Sequence, residues 1–346
     1  MSKPKRAARD PRLWARLKAL RPLWLLIFLG LAVHVLLPQL AQLTQLGQVL
    51  AAAAWWAVGL SLAAQVLSYM GSGYVLHFLV SIFKQKLSVV RGVVITLAAY
   101  SMGLLGGGWV TTGAMTYQWL RGLGVKAEPA GLAGSIPLFL NNVALVVAAT
   151  VGLAYLLFVH QLSDLQVIAF TLVLLVMLLV AAAAFWGAGH RQQLAAIAAR
   201  WCQRLGPRFR LSRRQVAASL SNFFASWDAM LAGHFYRPVL GAFLNVGFDA
   251  LTLYFLFLAV GEPASPGVLL AGYGLPLLLA KIAFMIPGGV GVIESSMAAL
   301  YTNLGAPSEK SVIVVLAYRI FSFWLPVLFG FPAIAYIRRL LSSGKK

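Results

Sequence analysis

Apolar residues occur in long runs along this chain, and polar residues are confined to short clusters between them. Six runs are long enough to cross a bilayer as helices: 23–43, 49–80, 130–160, 165–187, 238–260 and 311–337. A span needs about 20 predominantly apolar residues. Two further apolar stretches, 92–120 and 267–303, do not fit that pattern. The first has a basic residue at each end, Arg91 and Arg121, so both ends belong on one side of the membrane. Two full crossings would need about 40 residues, and only 29 are present (120 − 92 + 1). A hairpin that enters and leaves on the same side fits the length. The second stretch is flanked on one side by Glu262 and on the other by Glu309 and Lys310, and the same reading applies from the opposite face. The pattern therefore predicts an all-α polytopic membrane protein with about six full spans and two re-entrant helical hairpins. The order of span, span, hairpin, span occurs twice. Each half crosses three times, so the second half is inverted relative to the first. The divisions are a basic tail at 1–21, a transmembrane domain at 22–339 with halves 22–163 and 164–339, and a short tail at 340–346.

Composition agrees with this reading. Of 346 residues, 61% are hydrophobic and 10% charged, against about 25% charged in soluble domains. A net charge of +20 would suggest nucleic acid if it were spread over one surface. Instead, 25 of the 28 Lys and Arg fall in segments that the topology assigns to the cytosol, the positive-inside pattern. This predicts a multi-pass protein of the cell membrane with both termini cytosolic and no nucleic-acid partner. The basic tail serves either as a topology signal or to attach to anionic headgroups. The run after it has no small-residue cleavage site, so it reads as an uncleaved first span. The single cysteine, Cys202, allows no internal disulfide, and the five histidines have no ligand spacing. No metal or cofactor is expected.

The densest chemistry lies in Met285-Ile286-Pro287-Gly288-Gly289-Val290-Gly291-Val292-Ile293-Glu294. Proline cannot donate a backbone hydrogen bond, and the glycines loosen the chain around it. One helix should stop near Met285 and another should start just after Gly291. Glu294 then sits in the first turn of the second helix, beside exposed N–H groups. Within a membrane such a break survives only where protein or water surrounds it. A looser version, Gly106-Gly107-Gly108-Trp109-Val110-Thr111-Thr112-Gly113, occupies the matching place in the first half. Four ionisable residues lie at membrane depth: Asp249, Lys281, Glu294 and Arg319. Each costs about 2.5–3.5 kcal/mol at the bilayer centre on insertion scales, so they should face the interior or water and pair. Two readings are open. Glu294 and Arg319 form a structural ion pair while Lys281 snorkels, or Arg319 and Lys281 hold a lipid phosphate that Glu294 balances or gates. Asp249 faces inward on its span or is held as a neutral acid.

Three further segments carry a family resemblance. Pro287 to Glu294, Leu304-Gly305-Ala306-Pro307 and Ala317-Tyr318-Arg319-Ile320-Phe321-Ser322-Phe323-Trp324-Leu325-Pro326 resemble the flippase-like family. This is the transmembrane domain of lysylphosphatidylglycerol synthases. Phe243-Leu244-Asn245-Val246-Gly247-Phe248-Asp249-Ala250-Leu251 resembles the family's span before the second hairpin. The resemblance implies movement of phospholipid between leaflets and points to Glu294 and Arg319. Many members carry an acidic residue after the first-half glycine and a basic one soon after. Here Ala114 follows Gly113 and the next cation is Arg121, so a symmetric charged site is not expected. With no soluble aminoacyl-transferase domain after the last span, lipid lysylation is not expected of this chain alone.

The leading expectation is thus a non-enzymatic lipid flippase or scramblase acting on phospholipid or another anionic lipid. Its candidate substrate-binding residues are Glu294, Arg319, Lys281, Asp249, Gly288, Gly289 and Arg121. Its candidate partners are membrane lipids with anionic headgroups, a second copy of the chain, and a separate lipid-modifying enzyme. No phosphate-binding loop for ATP is present, so any drive would come from a gradient or a partner. A small-solute or ion transporter shares the same architecture, and a non-catalytic membrane scaffold is a further alternative. A lipid-modifying enzyme would need paired acids, a Ser/His pair or metal ligands on one face, and none occurs.

Overall fold

A computed structural model describes residues 51–106, 108–159, 162–190, 193, 228, 235–282 and 287–343. The basic tail, the first predicted span (23–43), the loop at 191–214 with Cys202, and most of 215–236 lie outside the described residues. The chain divides into two compact units, Met1–Ala51 and Ala52–Lys346, and every helix named below belongs to the second.

Among the described residues every regular element is a helix. The helices are α1 (Trp55–Ser81), α2 (Val89–Gly106), α3 (Trp109–Gly122), α4 (Ala127–Val159), α5 (Asp164–Gly189), α6 (Tyr236–Ala259), α7 (Pro266–Ile282), α8 (Val292–Asn303), α9 (Ser308–Arg319) and α10 (Leu325–Ser343). Between α7 and α8 lies a single tight turn, Pro287–Gly289. Five residues of π-helix, Ile320–Trp324, join α9 and α10 into one rod.

Three of these elements are long and apolar enough to cross a membrane by length and composition: Ala127–Val159, Tyr236–Ala259 and Ser308–Ser342. Helix α1 has 27 residues but carries buried Ser61, Gln65 and Ser68, which makes it less apolar. Pro137 sits within α4 without ending it. Helices α3 and α8, with 14 and 12 residues, are about 21 and 18 Å long at 1.5 Å per residue. Both fall short of a core about 30 Å thick.

The packing of the first half recurs in the second. Helix α2 packs on α3 and α3 on α4; likewise α7 packs on α8 and α8 on α9. Helix α1 packs on α4 as α6 does on α9. Each half also lends a helix to the other, since α7 lies against α4 and α2 against α10. The corresponding helices α1 and α6 form the most extensive pair, and they run antiparallel. Ser68 bonds Asn245, while the Ala54 amide at the other end of α1 donates to Ala259 O (2.9 Å). Antiparallel pairing of equivalent helices is what an inverted repeat requires. Two turns reinforce the correspondence. Gly108 and Gly289 have φ of 73° and 63°, Gly124 and Gly305 have 88° and 99°, and the same chain interval separates each pair. The amides of Val125 and Ala306 close matching turns onto Leu120 O and Tyr301 O.

With no hydrophobic drive between helices in lipid, close packing and interhelical hydrogen bonds hold the bundle. The α1–α6 seam shows both. A Cβ on Gly71 would lie 2.7 Å from Asn245 N and 3.0 Å from Gly241 O, so only glycine lets the backbones approach this closely. One turn along, Asn245 donates to Ser68 O (2.8 Å) and Oγ (2.9 Å), and Ser68 Oγ donates to Asn245 O (2.9 Å). Helix α5 begins at a capping box in which Ser163 and Gln166 exchange hydrogen bonds. It leaves Leu165, Ile168, Leu172, Leu175 and Leu179 exposed, a face suited to lipid tails.

Candidate functional site

The break after α7 has the predicted form. Helix α7 ends at Ile282, the chain turns at Pro287–Gly289, and α8 starts at Val292. Gly288, Gly289 and Gly291 all have positive φ, at 66°, 63° and 86°. That left-handed region is costly for other residues. At Gly288 a side chain would also run into the Phe323 ring.

Glu294 stands at the third position of α8. Its Oε2 accepts the Gly291 N–H at 2.6 Å, which satisfies one of the donors a helix start leaves free. Its Oε1 accepts from Arg319 Nε at 2.7 Å. Arg319 Nη2 in turn donates to Gly288 O at 2.9 Å, so one guanidinium ties the last turn of α9 to both sides of the break. The guanidinium lies 4.4 Å from the centre of the Phe323 ring, within cation–π range. The side chains of Arg319 and Glu294 are only 5% and 7% exposed. A charge buried to this degree is held only by pairing and hydrogen bonds.

The π-helix starts at the residue after Arg319. Such bulges release backbone carbonyls and recur at functional sites. Here the Phe321 carbonyl accepts a hydrogen bond from the Tyr69 hydroxyl of α1. The bulge also places the Phe323 ring against both Arg319 and Gly288, with Tyr100 of α2 edge-on to it. Asp249, half-buried on α6, lies beside this cluster. Its Oδ2 accepts from Tyr273 of α7 and Tyr318 of α9, each at 2.8 Å. Asp249 and Arg319 are within electrostatic reach of each other.

The structure thus brings together Glu294, Arg319, Gly288 and Gly289, with Asp249 adjoining. It does not bring in Lys281 or Arg121. Lys281 ends α7 with its side chain exposed and forms no ion pair among the described residues, which suits a snorkelling lysine. Arg121 lies near the end of α3, a helix that packs on α2 and α4, and its Nη1 donates to Val125 O at 2.9 Å. It caps its own turn. Sequence reasoning did not single out Tyr69, Tyr273, Tyr318 or Phe323. The available signal was tyrosine inside otherwise apolar spans, where each hydroxyl must find a partner.

These features define a class: an integral membrane protein with a helix break at each of two equivalent places and one buried ion pair fastening the second. The chain belongs to the family described as the lysylphosphatidylglycerol synthase TM region, which it matches over residues 25–330. Among curated proteins it is similar to a UPF0104 membrane protein of Pyrococcus horikoshii, 33% identical over 105 residues, or 30% of this chain and 31% of that one. It is also similar to a UPF0104 membrane protein of Methanocaldococcus jannaschii, 27% identical over 134 residues, or 38% of this chain and 40% of the relative. A third similarity is to a UPF0104 membrane protein of Methanothermobacter thermautotrophicus, 34% identical over 82 residues and 24% of each chain. The matched stretches thus span two fifths or less of these relatives' lengths.

Proposed function

We propose that this protein moves phospholipid, or another lipid with an anionic headgroup, between the two leaflets of the cell membrane. The observation that carries the reading is the state of Arg319. A cation at membrane depth is spent on one carboxylate and one carbonyl, both belonging to a glycine-rich break. A headgroup phosphate, like the Glu294 carboxylate, offers anionic oxygens that suit a planar guanidinium. Exchanging carboxylate for phosphate on Arg319 lets the charge of the lipid pass without a bare ion in hydrocarbon. Glu294 retains its bond to the Gly291 N–H throughout. In this reading α2–α3 and α7–α8 are re-entrant hairpins that enter from opposite faces, and both termini are cytosolic. The protein transports and does not catalyse, and a separate lipid-modifying enzyme is a natural supplier of its cargo.

The test is reconstitution in liposomes with headgroup-labelled lipids of different charge, quenched from outside. Wild type should expose inner-leaflet anionic lipid faster than protein-free vesicles do, and Arg319→Gln should not. If labelled lipid of no charge moves as fast as anionic lipid, and Arg319→Gln moves both normally, the headgroup site is wrong. Uptake of small solutes without lipid movement would favour the transporter alternative.

A further inference from the structure

We infer that Asp249 is a proton-carrying site linked to lipid binding, so that each anionic headgroup taken up at Arg319 is accompanied by one proton. The inference rests on the proposed lipid site and names what regulates it. Three observations support it.

The first is charge balance. Arg319 is neutralised by Glu294, which leaves Asp249 in the same cluster without a cation of its own. Its hydrogen-bond partners are all neutral: the phenols of Tyr273 and Tyr318, which both donate to Oδ2, and the side chain of Gln65. The groups facing Asp249 from the surrounding elements are Gln65 and Tyr69 of α1, Tyr100 of α2, Tyr273 of α7, and Tyr318 and Arg319 of α9. Helix α4, which also packs on α6, contributes no titratable partner to it among the described residues. The single cation of the cluster therefore serves two acids.

The second is an orphan. Gln65 of α1 is 1% exposed, and its Oε1 has no hydrogen-bond donor. It lies one turn from Ser68 on the seam, as Asp249 lies one turn from Asn245, so the antiparallel pairing sets Gln65 opposite Asp249. Buried carboxamide oxygens are almost always satisfied. An ionised Asp249 has no hydrogen to offer. At rest the Gln65 amide N–H serves the ionised carboxylate and Oε1 stays bare; a protonated Asp249 donates from Oδ1 to Oε1 once the amide turns over, while Oδ2 keeps both tyrosine bonds.

The third is the exchange itself. When a phosphate displaces Glu294 from Arg319, the cluster gains one negative charge. Uptake of one proton by Asp249, forming an O–H bond on Oδ1, returns the cluster to its starting charge. Binding and protonation then favour each other, and by linkage the lipid's affinity depends on pH.

The test uses purified full-length protein in weakly buffered neutral detergent with dihexanoyl phosphatidylglycerol as probe and a pH-indicator dye as readout. Wild type should take up about one proton per lipid bound, and its affinity should fall by about tenfold per pH unit where Asp249 is ionised. Asp249→Asn should bind with no proton uptake and no pH dependence. Wild-type binding without proton uptake overturns this inference and leaves the lipid site standing. Unchanged uptake in Asp249→Asn assigns the proton to another group and overturns it also. No binding at any pH removes the lipid site, and this inference falls with it. The wild-type stoichiometry is read without any variant, so a misfolded substitution does not blur the result.

Discussion

Two ion pairs in this protein have the same length and should have very different worth. Arg319–Glu294 and Lys310–Glu262 each measure 2.7 Å. The first pair is almost fully enclosed, whereas the side chains of the second are about one third exposed. Glu294→Gln keeps the hydrogen-bond acceptor for the Gly291 N–H, since glutamine also serves in a capping box. What it removes is the charge. Arg319 is then left buried with Gly288 O and the Phe323 ring as its direct contacts and no carboxylate bonded to it. Breaking a buried pair by removing one partner costs about 3–5 kcal/mol, most of it from the stranded charge. Lys310→Met strands Glu262 in partly open surroundings and should cost about 0–1 kcal/mol. In a chain of this size a loss of about 3 kcal/mol lowers the unfolding midpoint by on the order of 5 °C. The assay is thermal unfolding in detergent, followed by loss of the monodisperse peak. The double variant Glu294→Gln/Arg319→Met strands neither member of the pair, leaves Asp249 free to hold a proton, and should recover more than half of the single-variant loss. Glu294→Gln no more destabilised than Lys310→Met, or a double variant worse than the sum of the singles, would refute the reasoning.

Three further outcomes test the surroundings of the pair. Gly288→Ala adds a Cβ where φ is 66° and the Phe323 ring is in the way; it should cost at least 1–2 kcal/mol by the strain term alone and lower lipid movement. Tyr69→Phe removes the donor to the Phe321 carbonyl and should cost about 1 kcal/mol in the same unfolding assay. Lys281→Ala and Arg121→Ala should leave lipid movement within about twofold of wild type, because neither side chain reaches the cluster; a loss as deep as that of Arg319→Gln would bring them back into the site.

Much of this arrangement is legible in the sequence because a membrane makes polar residues and helix breaks conspicuous. Pro287 and its glycines mark the end of α7, and Glu294 three residues after Gly291 marks the start of α8. A Glu294–Arg319 pair is one of the two readings that the sequence leaves open, since neither charge is stable at depth alone. The second acidic centre was only half visible. Asp249 stands out by type, but its two phenols come from helices 24 and 69 positions away, a distance that no local pattern spans. The π-helix was not legible at all. Ile320–Trp324 has an ordinary apolar helical pattern, and the groups that meet the bulge, among them Tyr69 and Gly288, lie on distant segments. Arg121 is placed by a contact that the sequence pattern does not show. It is the next cation after the first-half break, and its guanidinium folds back on its own turn at Val125 O.

The central claim is that the buried pair at the break is a lipid site and not merely a clasp. The double variant Glu294→Gln/Arg319→Gln separates these, because it removes both charges while stranding neither. In liposomes with headgroup-labelled phosphatidylglycerol, the rate of lipid movement in the folded double variant should fall to that of protein-free vesicles. A folded double variant that still moves the lipid at the wild-type rate would contradict the account and leave the pair a purely structural feature.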